Sequence, residues 1–244
     1  MTLRLDRWLV TLGEGSRSQL QKLIRQGRVT VDGRVITDPG CACDPSAALT
    51  VNGQSVDGRL QRHVMLCKPA GLLTAARDRK QPTIMDLLPP AYGAVGCMPV
   101  GRLDKDTTGL LLLTTDGELN HRLLAPGRHV DKVYRATVDG PLTARDVEAF
   151  AAGLHLSDFD ALPAKLEILS SSPEAAEALV TVREGKFHQV KRMFQAVGRE
   201  VTQLHRLRFG PLVLDETLSP GAWRELTEEE LRSLRLAAGM EEQP

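Results

Sequence analysis

The sequence predicts an α+β protein in which a small helical module precedes a mainly antiparallel, mixed sheet flanked by helices. Three observations support this fold class. Strand-like runs follow one another without the regular strand-helix alternation of a parallel sheet. Helical patterns lie between these runs, several with a capping residue at the start. The N-terminal part has a different pattern, with two short basic helices that lead into a hairpin.

The N-terminal part is predicted to form one domain, residues 1–58. Apolar residues recur at helical spacing in residues 3–13. A serine, Ser16 or Ser18, caps a second basic helix that ends at a glycine. An aspartate-glycine pair in RVTVDGRVI provides the tight turn of a hairpin, because glycine readily adopts a positive φ.

Residues 62–240 are predicted to form a second, larger domain. The polar, glycine-containing segment NGQSVDGRLQRH separates it from the first. Strands are predicted for VMLCKPAG, GLLLLTT, KVYRATV, LPAKLEIL, EALVTVRE and VTQLHRLRF. Helices are predicted for residues 118–124, for DVEAFAAG, for FHQVKRMFQAVG and for the segment after the capping box of Thr227 and Glu230.

The distribution of charge favours a polyanionic partner although the formal net charge is zero. Basic residues dominate residues 4–34 and residues 183–208, whereas acidic residues at 225–242 restore the balance. Local fields steer binding more than the total charge does, so two separated basic stretches suit a polyanion contacted by two domains. Either stretch alone would suit a solvated helix face equally well.

Composition argues against several classes of protein. Hydrophobic and charged contents of 42% and 25% are ordinary for a globular protein. No apolar run approaches the roughly 20 residues of a membrane span, and Asp6 and Arg7 interrupt the N-terminus where a signal peptide stays apolar. We therefore expect a cytoplasmic monomer with no membrane partner. The four cysteines form no CxxC pair and have no histidine at metal-finger spacing, so we expect no metal.

The segment most informative about chemistry is GRLDKDTTGLLLLTTDG, residues 101–117. Asp104 and Asp106 lie there in a glycine-bounded, threonine-rich loop before an apolar strand. Such a loop displays side chains on a rigid scaffold. By spacing alone, a structural role is slightly favoured, because Asp and Thr side chains commonly satisfy backbone groups where a strand begins.

The same segment is similar to the GRLDxxTxGLLLxTxDG signature of pseudouridine synthases. KPAG, KVYRATV, EGKFHQVKRMFQAVG and LHRLRFG resemble further motifs of that family, in the same order. SRSQLQKLIRQGRVTVDGRVI resembles the S-four RNA-binding module. The resemblance covers essentially the whole chain, and it implies the pseudouridine synthase fold behind an N-terminal RNA-binding module.

The resemblance implies a role for five residues around the reaction centre. Asp104 would be the reactive carboxylate, Lys191 its basic partner, Tyr134 the active-site tyrosine and Leu204 an apolar contact. Arg102 would occupy the space of the displaced base. A carboxylate that stays ionised in a pocket poor in water needs an opposite charge nearby, and a tyrosine offers a π-face to a flipped base.

Other polar residues are expected to contact RNA or to pack. His188 and His205 invite an acid-base role, but the resemblance implies no catalytic histidine at either position, so we expect packing or RNA contacts. On the N-terminal module the resemblance implies that six residues face RNA, namely Ser16, Arg17, Gln21, Lys22, Arg25 and Arg28.

The implied reaction explains why no cofactor is expected. Uracil is detached from its ribose nitrogen bond, rotated and rejoined through carbon, so no group leaves the RNA and no energy source is consumed. Neither GxxxxGK[ST] nor a strand followed by GxGxxG is present. The N-terminal module, HQVKRMF and LPAKLEI resemble the small-subunit branch, which implies ribosomal RNA as partner and uridine 516 of 16S ribosomal RNA as target. Large-subunit relatives share the architecture and remain an alternative.

Two rival functions fit parts of the sequence. The run from Asp104 to Thr107 matches the DxDxT motif of haloacid-dehalogenase-type phosphotransferases, but MPVGRL before it is not an apolar parallel strand. The acidic pair that would hold magnesium, Asp215-Glu216, falls in a short turn. A non-catalytic RNA-binding assembly factor on the same scaffold is the other rival, and the intact motif residues argue against it.

Overall fold

A computed structural model describes residues 2–125, 127 and 130–240. The chain forms two compact units. The first contains the chain up to Arg62 together with Leu88–Met98. The second contains His63–Leu87 and the chain from Pro99 onward. A short segment from the middle of the sequence therefore belongs with the N-terminal residues.

The described residues of the first unit form three short helices and six short strands. The helices are α1 (Leu5–Thr11), α2 (Arg17–Arg25) and α3 (Pro90–Ala94). The strands are β1 (Leu3–Arg4), β2 (Val29–Val31), β3 (Arg34–Val35), β4 (Ala42–Cys43), β5 (Leu49–Val51) and β6 (Gln54–Val56). Strands β3, β2, β5 and β6 form an antiparallel sheet in that order, and β1 pairs with β4. Both predicted helices and the predicted hairpin are confirmed.

Local sequence explains how these elements form and pack. Ser16 begins α2 with a capping box shared with Gln19, so the cap is Ser16 and not Ser18. Trp8 is completely buried, and its indole Nε1 donates a 2.8 Å hydrogen bond to the carbonyl of Gly58. A Cβ at position 58 would lie 2.4 Å from the Trp8 ring, so this close approach requires glycine. Val95 packs against the same core.

The second unit is built on one large sheet. Its long strands are β7 (His63–Lys68), β9 (Thr108–Thr114), β10 (Lys132–Asp139), β13 (Lys165–Ser171), β14 (Ala175–Val182) and β15 (Val201–Phe209). The shorter strands are β8 (Met98–Pro99), β11 (Leu154–His155), β12 (Asp160–Ala161), β16 (Leu212–Val213) and β17 (Trp223–Glu225). The helices are α4 (Gly117–Leu124), α5 (Ala144–Ala152), α6 (Gln189–Ala196) and α7 (Glu228–Ala237), with a 3₁₀ turn at Ile84–Leu87.

The sheet has the strand order β13-β14-β10-β15-β9-β7-β17. Neighbouring strands along this path are antiparallel except β15 and β9, which are parallel. The predicted α+β class with a mainly antiparallel mixed sheet is therefore confirmed. Strand β9 is buried on both faces, which explains why GLLLLTT is an unbroken apolar run. Leu110 and Leu112 share one core with Leu119 and Leu123 of α4 and Leu234 of α7.

The N-terminal ends of α7 and α6 are fixed by particular residues. Thr227 and Glu230 form the predicted capping box of α7. Helix α6 begins at Gln189, two residues after the predicted start, because His188 adopts a left-handed conformation with φ 49° and Phe187 lies in the preceding turn. None of the helices in the described ranges is both long and apolar enough to cross a membrane.

Candidate active site

The loop that carries Asp104 is held rigidly by buried side chains. Lys68 at the end of β7 is completely buried, and its ammonium donates hydrogen bonds to the carbonyls of Pro69, Lys105 and Thr107 at 3.0, 3.2 and 2.9 Å. The hydroxyl of Thr74 donates a 2.8 Å hydrogen bond to the carbonyl of Leu103. Residues 103–107 are therefore fixed from two sides. Burial lowers the pKa of Lys68 to about 8.

Two nitrogen-bearing side chains, one from α6 and one from its preceding turn, approach the Asp104 carboxylate. The Lys191 ammonium lies 3.8 Å from Oδ2, and His188 Nε2 lies 3.5 Å from Oδ1. Lys191 is closer to Asp106, whose two carboxylate oxygens accept hydrogen bonds from it at 2.6 and 2.7 Å. That hydrogen bond lowers the pKa of Asp106. The single positive charge of Lys191 is thus shared between two carboxylates, one of them the predicted catalytic group.

The sheet supplies the other two predicted catalytic-site residues. Tyr134 on β10 and Leu204 on β15 are 8% and 7% exposed. The register pairs Tyr134 with Arg206 and Ala136 with Leu204, so tyrosine and leucine are diagonal neighbours on adjacent strands. The Arg206 guanidinium lies 6.0 Å from the centre of the Tyr134 ring.

These side chains meet around a cavity of about 60 Å³, which we call the reaction pocket. Its walls include Arg102, Asp104, Thr107, Tyr134, His188 and Leu204. Four of the five predicted reaction-centre residues therefore line one pocket, and the fifth, Lys191, reaches its carboxylate from α6.

A larger depression of about 560 Å³, the flanking groove, shares Arg102, Asp104 and His188 with the reaction pocket. Ligand pockets usually measure roughly 300–1,000 Å³, so the flanking groove has ligand size and the reaction pocket does not. The groove adds apolar walls from Leu123, Leu124 and Leu162, and Phe187 on its rim.

The six residues predicted to face RNA on the first unit divide into two groups. Lys22, Arg25 and Arg28 are exposed, as a phosphate contact requires. The other three also act within the fold: Ser16 caps α2, while Arg17 and Gln21 donate hydrogen bonds to the buried carboxylate of Asp6 at 3.3 and 2.9 Å. Arg4, Gln21 and Arg17 lower the pKa of Asp6, the hydrogen bond from Arg4 having the largest effect.

Sequence reasoning missed three features of the site. It did not place Lys68 under the loop of Asp104, it did not bring His188 to the carboxylate, and it gave Asp106 no cation. A lysine in a strand that is otherwise apolar was the available signal for Lys68. His205 packs as expected: its Nδ1 lies 2.8 Å from the Thr108 hydroxyl, and burial lowers its pKa.

The surroundings of the two acidic motifs argue against the phosphotransferase interpretation. The Asp106 carboxylate is engaged by Lys191. Asp215, from the acidic pair proposed to hold magnesium, accepts hydrogen bonds from Thr217 and Arg224. Among the described residues, no group of three or more His, Cys, Asp or Glu is placed to hold a metal ion.

Comparisons with known proteins agree with the fold. The RNA pseudouridylate synthase family matches residues 62–196, and the S4 domain matches residues 3–49. The chain is 42% identical to the Uncharacterized RNA pseudouridine synthase YtzG of Bacillus subtilis, over 95% of this chain and 98% of that protein. It is also 42% identical to Ribosomal small subunit pseudouridine synthase A of Pseudomonas aeruginosa, over 95% and 100%.

A solved structure described as a pseudouridylate synthase gives the same result. Its TM-score is 0.67 at 36% identity, with 95% of this chain and 99% of that chain covered. Fold and site together define an enzyme that isomerises uridine in RNA. The chain belongs to the RNA pseudouridylate synthase family and carries an S4 domain at its N-terminus. Both predicted resemblances are thus confirmed, and the haloacid-dehalogenase interpretation is wrong.

Proposed function

We propose that this isomerase converts one uridine of small-subunit ribosomal RNA to pseudouridine, with uridine 516 of 16S ribosomal RNA as the target. The full-length similarity to a Ribosomal small subunit pseudouridine synthase A supports the subunit. The N-terminal module and the HQVKRMF and LPAKLEI segments support the same branch.

The observation that carries the proposal is the position of Asp104. Its carboxylate is 27% exposed, opens on the reaction pocket beside Tyr134 and Leu204, and has the Lys191 ammonium 3.8 Å away. A carboxylate in that position can act on a flipped uridine as nucleophile or base. Tyr134 would stack on the base, Leu204 would contact it, and Arg102 would fill the space that the base leaves in the RNA.

The test is to map pseudouridines in ribosomal RNA from cells with and without the protein. Loss of the modification at uridine 516 alone is the expected result. Restoration by the wild-type chain, but not by Asp104→Asn, would tie the modification to catalysis and exclude a non-catalytic assembly role. Loss of a large-subunit site would reassign the target, and an unchanged map would overturn the proposal.

A further inference from the structure

Phe187 is exposed to an extent unusual for a phenylalanine. Its side chain is 72% exposed, whereas Phe150, Phe194 and Phe209 are at most 1% exposed. It lies on the rim of the flanking groove, one residue before His188, which also lines the reaction pocket. Packing within the described chain leaves most of the Phe187 ring surface open to solvent, so the fold alone does not explain this residue.

The turn that presents Phe187 is built to hold it in place. The Phe187 ring stacks on the His188 ring, with centroids 3.8 Å apart and an angle of 18° between the planes. His188 adopts a left-handed backbone conformation, which a non-glycine residue keeps only where the surroundings enforce it. The buried side chain of Gln189 enforces it here, because its amide accepts a hydrogen bond from the Lys186 backbone N–H at 3.2 Å and donates one to Glu184 at 2.9 Å.

The charges around Phe187 identify the kind of ligand. The flanking groove is lined by four basic side chains, Arg102, Lys132, Arg183 and Lys186, and by the carboxylates of Asp104 and Glu184. Lys132 is buried and donates a hydrogen bond to the carbonyl of Val130, and Arg183 donates one to Asp131 at 3.0 Å, so Arg102 and Lys186 are the cations most available to a ligand. Arg102, Arg183 and Lys186 are exposed. Glu184 already accepts hydrogen bonds from Leu162 N and Gln189 Nε2, both at 2.9 Å. A pre-ordered aromatic face beside a net positive groove suits a nucleotide, because the ring stacks on a base and the cations attract its phosphate.

We infer that Phe187, supported by His188, stacks on an unpaired base that flanks the target uridine. The inference rests on the proposed isomerase function of the same site and adds a substrate requirement to it. A uridine that flips into the reaction pocket removes a stacking face from both neighbouring bases, and Arg102, proposed to fill the gap, supplies no aromatic face in its place. Phe187 lies on the groove that opens from that pocket and supplies a replacement face. Since stacking needs only a π-face, Phe187 would secure the flanking nucleotide without reading its identity.

The test combines protein variants with synthetic RNAs that carry the mapped uridine. One RNA is intact, and the others each carry a single abasic residue at one position flanking the uridine. Affinity is measured by titration and the single-turnover rate by tritium release from 5-tritiated uridine. The variants are Phe187→Leu, which keeps an apolar side chain, and Phe187→Trp, which keeps a π-face. Val213→Ala is the matched control, because Val213 is 61% exposed and does not line the groove.

For the wild type, we expect one abasic RNA to bind roughly tenfold more weakly than the intact RNA. Phe187→Leu should bind the intact RNA roughly tenfold more weakly than the wild type does. It should also bind the intact RNA and that abasic RNA with equal affinity. Phe187→Trp should still bind the abasic RNA more weakly than the intact RNA, and Val213→Ala should have wild-type affinity for both RNAs. The inference would be overturned if Phe187→Leu bound the intact RNA as tightly as the wild type, or if Phe187→Leu still bound the abasic RNA more weakly than the intact RNA. In either case, turnover by the wild type would still uphold the proposed function. No tritium release by the wild type would overturn both.

Discussion

The ammonium of Lys191 lies between two carboxylates with different expected roles. It hydrogen-bonds Asp106 at 2.6 Å and lies 3.8 Å from Asp104. The predicted catalytic aspartate is thus the more distant of the two, and it alone lines the reaction pocket. Geometry therefore distinguishes a carboxylate that lines the pocket from one that hydrogen-bonds the lysine, a distinction that spacing in the sequence could not make.

Substitution of each aspartate should give unequal results. Asp104→Asn keeps the size and shape of the side chain but removes the charge that nucleophilic or basic action needs, so turnover should fall below detection. Asp106→Asn should leave turnover within about tenfold, equivalent to about 1.4 kcal/mol in barrier height, because it loosens Lys191 without removing it. Tritium release from 5-tritiated uridine measures both. RNA affinity is the control, and equal loss of turnover in the two variants would falsify the assignment of Asp104 as the sole essential carboxylate.

Lys191→Met should lower the isomerisation rate much more than it lowers RNA affinity. The substitution leaves Asp104 without the ammonium at 3.8 Å, and an electrostatic contact of this kind typically contributes roughly a hundredfold or more to rate. Single-turnover tritium release at saturating RNA gives the rate, and titration gives the affinity. An unchanged rate with lost affinity would instead place Lys191 on the RNA-binding surface.

Lys68 should make the free energy of unfolding depend on pH. Burial holds its pKa at about 8, below the ordinary 10.5. Between these values the unfolded chain binds a proton that the folded chain does not, so the contribution of Lys68 to stability rises as the pH increases from 8 to 10.5. The slope is at most about 1.4 kcal/mol per pH unit. Denaturant unfolding of wild type and Lys68→Met over this range measures it, and parallel stability curves would contradict the assignment.

At the scale of single elements, helix α2 has a buried face and an exposed basic face, and the exposed face is the one predicted to contact RNA. Leu20 and Ile24 are buried in the core of the first unit, while Lys22 and Arg25 are exposed one turn apart. Arg17 is tied to the buried Asp6. Substitution of Arg17 would therefore disturb fold and binding together, whereas Lys22 and Arg25 report on RNA contact alone.

Replacement of Lys22 and Arg25 by glutamine should weaken RNA binding and reduce its dependence on salt. Each phosphate contact that is lost lowers the slope of log affinity against log salt by about one. Dissociation constants for a ribosomal RNA fragment at several salt concentrations provide the slope. Arg145→Gln, on the exposed face of α5, is the matched control. A double variant with the wild-type slope would show that α2 does not contact phosphate.

At the scale of the whole molecule, the chain forms two units that are not simply consecutive in sequence. Leu88–Met98 belongs to the first unit, although it lies between segments of the second. Val95 packs there against the core of α1 and α2, and Gly13 lies so close to Ala94 that an added Cβ would be 2.9 Å away. A test of the proposed domains, 1–58 and 62–240, therefore has to account for Leu88–Met98, which packs with the first unit but lies within the second proposed domain.

Removal of residues 1–58 should weaken RNA binding and flatten its salt dependence, because the deletion removes Arg17, Lys22, Arg25 and Arg28. Turnover should persist at high RNA concentration, since Asp104 and Lys191 both lie in the second unit. The Lys22 and Arg25 double variant is the control, because it keeps the packing of Val95. Affinity and salt slope equal to those of the intact chain would contradict a separate RNA-binding domain.

The sequence by itself determined the fold class, most helices and strands, and the loop that carries Asp104. These features depend on local patterns: apolar periodicity gave β9, β10 and β15, capping residues gave α2 and α7, and the loop motif is contiguous. The start of α6 was missed because the left-handed conformation of His188 depends on hydrogen bonds of the buried Gln189 and has no local signature.

The resemblance implied Lys191 as the partner of Asp104, whereas only the tertiary structure placed Lys68 and His188 around the same loop and Lys191 closer to Asp106 than to Asp104. Lys68, His188 and Lys191 come from a distant strand, a turn and a helix, and Lys191 is 85 residues from Asp106. Their distances to the carboxylates follow from strand order, register and helix packing. The periodicity of a single segment contains no information about these long-range contacts. The same holds for Leu88–Met98, whose place in the first unit depends on contacts with residues far away in the chain. Local sequence specifies each element, whereas the packing of elements brings charges from distant segments to within a few ångströms of one another.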